Sequence, residues 1–381
     1  MTTNGFGDAS WMYFIEPTDP ANDGFPGAPK PVFREFTSIK TVDGALAALV
    51  AYFSALFDGE IAPQFSLYSY WAFWQFMPLS VLVVLEGMRA GNRGKVASWT
   101  STMLFMAQLL SWQFLMPLWV ILYLLTSPIA RGHSPVPRSS LLVDLWDITV
   151  LPLTVFLTFM LPTIAMYLPA SMVDTKFHYA SIAFWQAFPL WHYILHTSLA
   201  FLGHTLLGAL DGSKQGTIVP AIYLARIRGV YDLVFIAGIV GQLPILFLAL
   251  SPPGLLSPVA NAFPWLGQYT NAAVSLSSVF LPWSPFNQPA VDPKTIGSGD
   301  LAPLAVFFLH YDMYIGCGVL LIWAIFLHPN AAKSYNLARV LIKLAAWFSL
   351  GGFSSAVAAL LWERDLYVLE DSEKAGQKKE I

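Results

Sequence analysis

The sequence has little charge, and this scarcity excludes most classes of soluble protein. Only 11% of its 381 residues are Asp, Glu, Lys or Arg, whereas soluble globular domains usually contain about 25%. A chain with so few charged side chains cannot cover a folded surface in water. Its formal net charge of −3 also provides no basic surface for nucleic acid.

Cysteine, histidine and targeting features are equally sparse. The single cysteine, Cys317, excludes an internal disulfide, and the chain contains only seven histidines. Its first residues lack a basic segment followed by an apolar run, so we do not expect a cleaved signal peptide. The alternation of apolar and polar residues that is typical of membrane β-barrels is also missing.

Long apolar runs, in contrast, are abundant, and hydrophobic residues make up 56% of the chain. A membrane-spanning helix needs roughly 20 mostly apolar residues. We therefore predict an all-α fold, a polytopic transmembrane helical bundle of about eight spans. The predicted spans are residues 44–57, 68–88, 100–126, 141–169, 179–207, 230–250, 301–328 and 338–362.

Several of these predicted spans contain proline, which kinks helices and leaves irregular space between them. We therefore predict a central hydrophobic cavity. Residues 262–282 form another uncharged stretch, either a re-entrant or interfacial element or a ninth span.

The two ends of the chain differ in composition from this region. Residues 1–31 are rich in Pro, Gly and Asp and indicate a flexible or surface-lying leader. Residues 32–363 would form the transmembrane domain, and residues 364–381 a charged tail. With eight spans, more Lys and Arg lie on the side of both termini, which predicts cytosolic termini.

One apolar phrase occurs twice, as "AFWQFMPL" at 72–79 and "AFWQAFPL" at 183–190. In each copy a proline follows the glutamine by three residues, and it frees a backbone carbonyl one turn earlier. We expect Gln75 and Gln186 to be buried amides that bridge helices, with Trp74 and Trp185 beside them. The duplication is compatible with two related halves, as in many transporters, or with a recurring packing device.

Asp312, in "FLHYDMYIGCG", is the strongest candidate for chemistry because it lies well inside a predicted span. An ionisable group is expensive there and indicates function. A carboxyl in apolar surroundings retains its proton, since desolvation disfavours the charged form. The alternative is a hydrogen bond to a Gln or Trp of a neighbouring helix.

Other acids allow two interpretations each. Glu86, in "VLVVLEGMR", is either a cavity-facing acid or the partner of Arg89, three residues later. Asp144 and Asp147 share a helix face and resemble half of a magnesium site, but acids are also favourable where a helix begins. Asp232 follows an arginine by four residues, as structural pairs do. Asp147 and Asp232 are kept as additional candidate acids.

His192 and His196 form an i,i+4 pair in "WHYILHTS". A membrane di-iron oxidase needs several such clusters, so core or cavity-lining histidines are the expectation. One Asp-x-x-Asp motif is also too little for the magnesium-bound diphosphate of a prenyltransferase. We predict no metal site and no cofactor.

Kinked helices, isolated acids and 15% aromatic residues together suit one chemistry. A neutral buried acid can donate a proton, and aromatic faces stabilise cations. The sequence therefore favours protonation of an epoxide or olefin and guidance of the resulting carbocation. A transporter of an apolar metabolite, with the acids serving proton coupling, is the alternative, and aromatic belts are common in membrane proteins.

Five stretches in order also carry a family resemblance over about residues 32–328. They are "VFREFTSIKTVDGALAALVAYFSALFDG", "VLEGMRAGNRGK", "MPLWVILYLLTSP", "AFWQAFPLW" and "FLHYDMYIGCGVLLIWA". They resemble the fungal membrane-bound terpene cyclases of meroterpenoid biosynthesis, and most closely the subgroup of the ascochlorin, ascofuranone and macrophorin pathways.

This resemblance implies a metal-independent cyclisation of a prenyl chain, usually farnesyl, on an aromatic or polyketide-derived head group. Acids inside the bundle would start it, and the resemblance gives these roles to Glu86 in "LEGMR" and Asp312 in "HYDMY". The expected partners are that small molecule and the lipid bilayer of the endoplasmic reticulum, without nucleic acid or an obligatory protein. We also expect substrate contacts from Trp74, Gln75, Trp185, Gln186, His192 and Tyr311.

Overall fold

The computed structural model shows an almost entirely helical chain, which confirms the predicted all-α class. Among the described residues, strand pairing is limited to a two-residue antiparallel pair, β1 (Thr3–Asn4) with β2 (Ala290–Val291). The rest of the predicted leader lies outside the described residues. The structure describes residues 3–4, 35–57, 63–131, 136–168, 172–206, 220–252, 254–271, 274–287, 289–291, 301–329 and 336–377.

The helices vary widely in length. Most are α-helices, and one five-residue segment, Phe156–Met160, is a π-helix. The α-helices are α1 (Lys40–Phe57), α2 (Pro63–Met88), α3 (Thr100–Leu110), α4 (Trp112–Thr126), α5 (Arg138–Leu141), α6 (Leu145–Val155), α7 (Leu161–Met166), α8 (Thr175–Gln186), α9 (Phe188–Leu206), α10 (Pro220–Leu250), α11 (Ser257–Ala262), α12 (Gly267–Asn271), α13 (Leu276–Phe280), α14 (Leu301–Leu327) and α15 (Leu337–Gln377).

Among the described residues, five helical segments are long and apolar enough to cross a membrane. The count of about eight spans is therefore not reached, although five of the predicted spans each overlap one of these segments. The five segments are Pro63–Met88, Arg138–Met166, Ile222–Leu250, Ala302–Leu327 and Leu337–Leu369.

Two predicted spans are each divided in two. The span 100–126 is broken between α3 and α4 at Ser111, whose φ of 102° lies in a region that non-glycine residues rarely adopt. The span 179–207 is broken at Ala187, between α8 and α9. Pro189 follows in the first turn of α9, where its missing N–H is tolerated. Hydropathy alone did not reveal either break.

Two further stretches that were considered as spans form helices shorter than the five candidates. The predicted span 44–57 belongs to α1, an 18-residue helix that is not among the five candidates. The stretch 262–282 forms short helices, of which α12 and α13 have five residues each. Neither is long enough for a ninth span, since a crossing needs roughly 20 residues.

The last helix, α15, extends beyond the end predicted at 362 and contains a break. Gly351 and Gly352 have non-helical dihedral angles, and the φ of 68° at Gly352 is a conformation that favours glycine. Beyond the break the helix continues to Gln377. Arg364 and Asp365, which begin the predicted charged tail, are fully buried.

The chain divides into two compact units. The first comprises Met1–Phe73, Met160–Ala187 and Leu243–Asp312, and the second comprises Trp74–Phe159, Phe188–Gln242 and Met313–Ile381. The first unit has an aromatic core, in which the Phe73 and Trp185 ring centroids are 4.8 Å apart and those of Phe57 and Tyr167 4.6 Å apart.

In the second unit, glycines bring helices into close contact. A Cβ atom added at Gly238 of α10 would lie 2.5 Å from Ser355 Oγ of α15. One added at Gly241 of α10 would lie 2.3 Å from Trp74 Cβ of α2. Small residues of this kind let membrane helices pack backbone to backbone.

Candidate active site

The second unit contains a small pocket of about 20 Å³, bounded by α2, α3, α9, the end of α6 and the π-helix. This is room for about one water molecule, far below the range of about 300–1,000 Å³ that is usual for small-molecule sites. Its walls are mainly aliphatic and aromatic, with few polar groups. The lining residues are Met77, Ser80, Val81, Val84, Ser101, Leu104, Val155, Thr158, Phe159, Phe188, Pro189 and His192.

The aromatic wall of this pocket is built edge to face. The rings of Phe159 and Phe188 are 4.6 Å apart at 84°, and Phe76 lies behind them, 5.8 Å from Phe188. Edge-to-face pairs fix the orientation of each ring. Phe159 belongs to the π-helix, a rare element that is frequently found at functional sites.

The polar lining includes hydroxyls that are already bonded to backbone. Ser80 Oγ donates to the Phe76 carbonyl at 2.8 Å, and Thr158 Oγ1 donates to the Thr154 carbonyl at 2.7 Å. Because their protons are engaged, these oxygens are left as acceptors. The pocket is therefore mainly apolar, with a small number of fixed polar atoms.

His192 lines the pocket, and it is only 7% exposed. Its imidazole stacks on that of His196 with a centroid distance of 5.3 Å, so the i,i+4 pair does share one helix face. Both rings approach the hydroxyl of Thr154 in α6, from His192 Nε2 at 3.3 Å and from His196 Nδ1 at 3.4 Å.

Glu86 is part of a buried cluster of four charged side chains in the second unit. The pair with Arg89, which was one interpretation of the sequence, is present at 3.1 Å. Arg364 contacts both carboxylate oxygens, at 2.5 and 3.2 Å, and Tyr123 donates to Oε2 at 2.8 Å. Hence both oxygens of Glu86 are occupied by cationic or neutral donors.

Asp365 completes the cluster. Its carboxylate accepts hydrogen bonds from Arg89 at 2.5 Å, from Arg364 at 2.8 Å and from the Tyr231 hydroxyl at 2.9 Å. The four charged side chains are 0% exposed. With two arginines and two carboxylates the cluster has no net charge, and its groups satisfy one another, as buried charges require.

Asp312 belongs to the first unit, where it is half-buried in α14. Its carboxyl is close enough to interact electrostatically with the Tyr52 hydroxyl. Tyr52 itself donates to the Ala305 carbonyl at 2.9 Å and packs edge-on against Phe308. Tyr311, beside Asp312, donates to the Trp283 carbonyl at 2.8 Å.

The first copy of the repeated phrase holds the break in α15. Gln75 is fully buried, accepts from the Ser354 N–H at 3.0 Å and donates to the Gly351 carbonyl at 3.3 Å. It thereby bonds backbone groups at the interruption of that helix. Trp74 packs against Gly241, which fixes this copy within the second unit.

The second copy of the phrase makes different contacts. Trp185 is buried in the first unit and its indole N–H donates to Thr163 Oγ1 at 3.0 Å. Gln186 donates to the Ile182 carbonyl of its own helix, while its buried Oε1 has no hydrogen-bond partner. The two copies of the phrase therefore have different local structures despite their similar sequences.

The remaining acids lie where a helix begins or on its surface. Asp144 is the N-cap of α6 and accepts from the Trp146 N–H at 2.8 Å. Asp147 Oδ1 lies 3.3 Å from His196 Nε2. Asp232 is exposed and 3.6 Å from Arg228. Within the described residues, no three His, Cys, Asp or Glu side chains are grouped closely enough to hold a metal ion.

Sequence reasoning missed Arg364, Asp365 and Thr154. The first two followed the last predicted span and were assigned to a tail. Thr154 carries no signal of its own, but it lies seven residues after Asp147, on the same helix face. That Thr154 faces His192 and His196 could be found only once the packing of α6 against α9 was known.

The chain is similar to fungal proteins over most of its length. It is 26% identical to the terpene cyclase ascI of Acremonium egyptiacum over 353 residues, covering 91% of this chain and 83% of that protein. It is 23% identical to the terpene cyclase ctvD of Aspergillus terreus over 330 residues, covering 86% and 84%. No solved structure matches the chain. The CtvD domain matches residues 15–369, and the chain therefore belongs to the CtvD domain family.

Proposed function

We propose that this protein is a membrane-bound terpene cyclase that protonates a terminal epoxide or olefin of a prenyl chain and guides the carbocation to ring closure. The substrate would be a farnesyl chain on an aromatic or polyketide-derived head group. Family membership and two relatives named terpene cyclases support this proposal. The observation that carries it is Asp312, the one Asp, Glu, Lys or Arg of α14, a helix that is long and apolar enough to span a membrane.

The pocket walls offer aromatic faces to a carbocation, and their few polar atoms belong to Ser80, Ser101, Thr158 and His192. Phe159 and Phe188 present π-systems that attract cations, more strongly where water is excluded. Aliphatic side chains such as Val81 and Leu104 complete the wall. The walls must part to admit a prenyl chain, because the pocket has room for about one water molecule.

We assign the first proton to Asp312. It is half-buried in an apolar helix, and this position supports a carboxyl that donates a proton. Glu86 has both oxygens bound to Arg89, Arg364 and Tyr123. These contacts support a carboxylate that stays ionised and holds α2 in place. They do not support a group that gives or takes a proton during turnover.

The membrane setting follows from the five candidate spans. We place the protein in the endoplasmic reticulum membrane because of the farnesylated substrate. Both termini are cytosolic only with an even number of crossings, as in the eight-span prediction from which the Lys and Arg bias is counted. A reaction that starts by protonation does not include the ionisation of a diphosphate, the step for which a metal ion is needed. We therefore propose that turnover requires neither a metal ion nor a cofactor.

The test uses membranes from cells that express this chain, incubated with a farnesylated phenol carrying a terminal epoxide and, separately, with its olefin. We expect a product of unchanged mass and new retention time by liquid chromatography and mass spectrometry. Membranes with Asp312→Asn are the matched control. Redistribution of the substrate across sealed vesicles without isomerisation would instead support the transporter.

A further inference from the structure

A row of polar side chains runs along the interface between α6 and α9 in the second unit. The two helices are antiparallel, since His204 of α9 lies 3.1 Å from Asp144 at the start of α6, whereas His192 faces Thr154 near its end. They approach closely at Gly203, where an added Cβ atom would lie 2.6 Å from the Trp146 ring.

The row connects the pocket to a half-exposed acid. His192, on the pocket wall, lies 3.3 Å from Thr154 Oγ1, which lies 3.4 Å from His196 Nδ1. His196 Nε2 is 3.3 Å from Asp147 Oδ1, at ion-pair distance but without the alignment of a hydrogen bond. Both histidines and Thr154 are buried, whereas the Asp147 side chain is 29% exposed.

The hydroxyl of Thr154 can be turned in two ways, and this decides how a proton can move along the row. Its Oγ1 lies 2.9 Å from the Leu151 carbonyl and within hydrogen-bond distance of both rings. With its proton towards Leu151 it can only accept from the rings. With its proton towards His196 Nδ1 it accepts from His192 Nε2, and a neutral His196 then carries its ring proton on Nε2, facing Asp147 Oδ1.

On the basis of the proposed function, we propose that His192, Thr154, His196 and Asp147 form a proton relay that removes the proton lost when the carbocation is quenched. A C–H or O–H bond of the substrate breaks and an N–H bond forms on His192. His192 passes the proton of Nε2 to Thr154 Oγ1, whose own proton moves to the unprotonated Nδ1 of His196. His196 releases a proton to Asp147, and Asp147 releases it to water.

The relay balances the reaction. The substrate gains one proton when cyclisation starts and loses one when it ends, so the product is an isomer. The donor of the first step recovers its proton from solvent, to which the relay has returned one. His192 is the catalytic base, and the other three are positioning and proton-transfer groups that act through it.

Thr154→Val tests the relay because it keeps the shape and removes the hydroxyl. We expect kcat on the farnesylated epoxide to fall about 100-fold, as for loss of a general base, with KM unchanged and a larger solvent isotope effect in D2O. Thr154→Ser retains the hydroxyl and should restore kcat to within about twofold. Thr149→Val, in the same helix with its hydroxyl bonded to the Leu145 carbonyl, is the matched control.

A second measurement does not depend on turnover. Solid-state NMR of isotope-labelled histidine in the intact protein reports which ring nitrogens are protonated. We expect Thr154→Val to change the ring-nitrogen signals of two histidines, and Thr154→Ser and Thr149→Val to leave them as in the wild type. His192→Gln and His196→Gln spectra assign those signals.

The relay is overturned if Thr154→Val turns over like the wild type with an unchanged isotope effect, or if Thr154→Ser is equally impaired. Unchanged histidine signals in Thr154→Val would also overturn it. A wild-type protein that cyclises no substrate refutes the proposed function instead. Altered histidine signals in Thr154→Val would in that case still show that the four side chains share protons.

Discussion

The guanidinium of Arg364 binds both carboxylate oxygens of Glu86, with Nη2 2.5 Å from Oε1 and Nη1 3.2 Å from Oε2, although the two residues are 278 positions apart in the chain. Both side chains are completely buried. Two-point binding by a planar guanidinium fixes orientation as well as distance. This pair ties the end of α2 to the second part of α15.

Glu86→Gln should destabilise the protein, because it leaves two buried arginines with one carboxylate. Breaking a buried ion pair costs about 3–5 kcal/mol, which unfolding of the purified protein in detergent would measure. Asp232→Asn removes an exposed acid from its pair with Arg228 and should cost at most about 1 kcal/mol. Equal stability of the two variants would contradict a structural role for the cluster.

Asp312→Asn should abolish cyclisation while the protein still folds and binds substrate, because the amide keeps the shape but has no acidic proton. Product formation measured against the amount of folded protein tests this. The matched variant is Asp174→Asn, which makes the same change at an exposed acid that caps α8 and should retain a folded, active enzyme. Normal turnover by Asp312→Asn would assign the first proton to another acid, with Asp147 and Asp232 next.

Excess EDTA should leave turnover unchanged, because protonation of an epoxide or olefin does not require a metal to ionise a diphosphate. The measurement is product formation in membranes with and without the chelator. Activity that disappears with EDTA and returns with magnesium would refute the acid mechanism, and it would direct attention to Asp144 and Asp147.

Gly241→Ala should destabilise the protein, because its Cβ atom would lie 2.3 Å from Trp74 Cβ, and atoms so close to both backbones cannot move aside easily. Overpacking of this kind costs about 1–3 kcal/mol. Gly229→Ala in the same helix meets nothing within 4 Å and should be neutral or stabilising by up to about 1 kcal/mol. The difference between their unfolding temperatures is the readout.

Apolar run length predicted the helical class and the general positions of five candidate spans, because the cost of an unpaired backbone in lipid leaves few alternatives. It could not predict the breaks at Ser111 and Gly352. Each depends on the φ angle of one residue, and that angle is set by packing against other helices. Hydropathy averaged over a window does not contain this information.

The candidate site was predictable only in part. His192 and His196 could be placed on one face because helical periodicity is a local property. Thr154 could not be paired with them, since the pairing depends on how α6 and α9 align. Likewise, the Glu86–Arg89 pair was visible at a spacing of three residues, whereas the contacts of Arg364 were not.

The buried four-charge cluster has a consequence for the order in which the chain is made. Glu86 and Arg89 are synthesised together, and Arg364 and Asp365 follow only near the end. Each pair contains one acid and one base, so each enters the membrane without net charge. Both local pairs persist in the folded protein, and the last helix adds the cross-pairs Arg89–Asp365 and Arg364–Glu86 to them. The interior of the second unit is therefore closed only after Arg364 and Asp365 have been made.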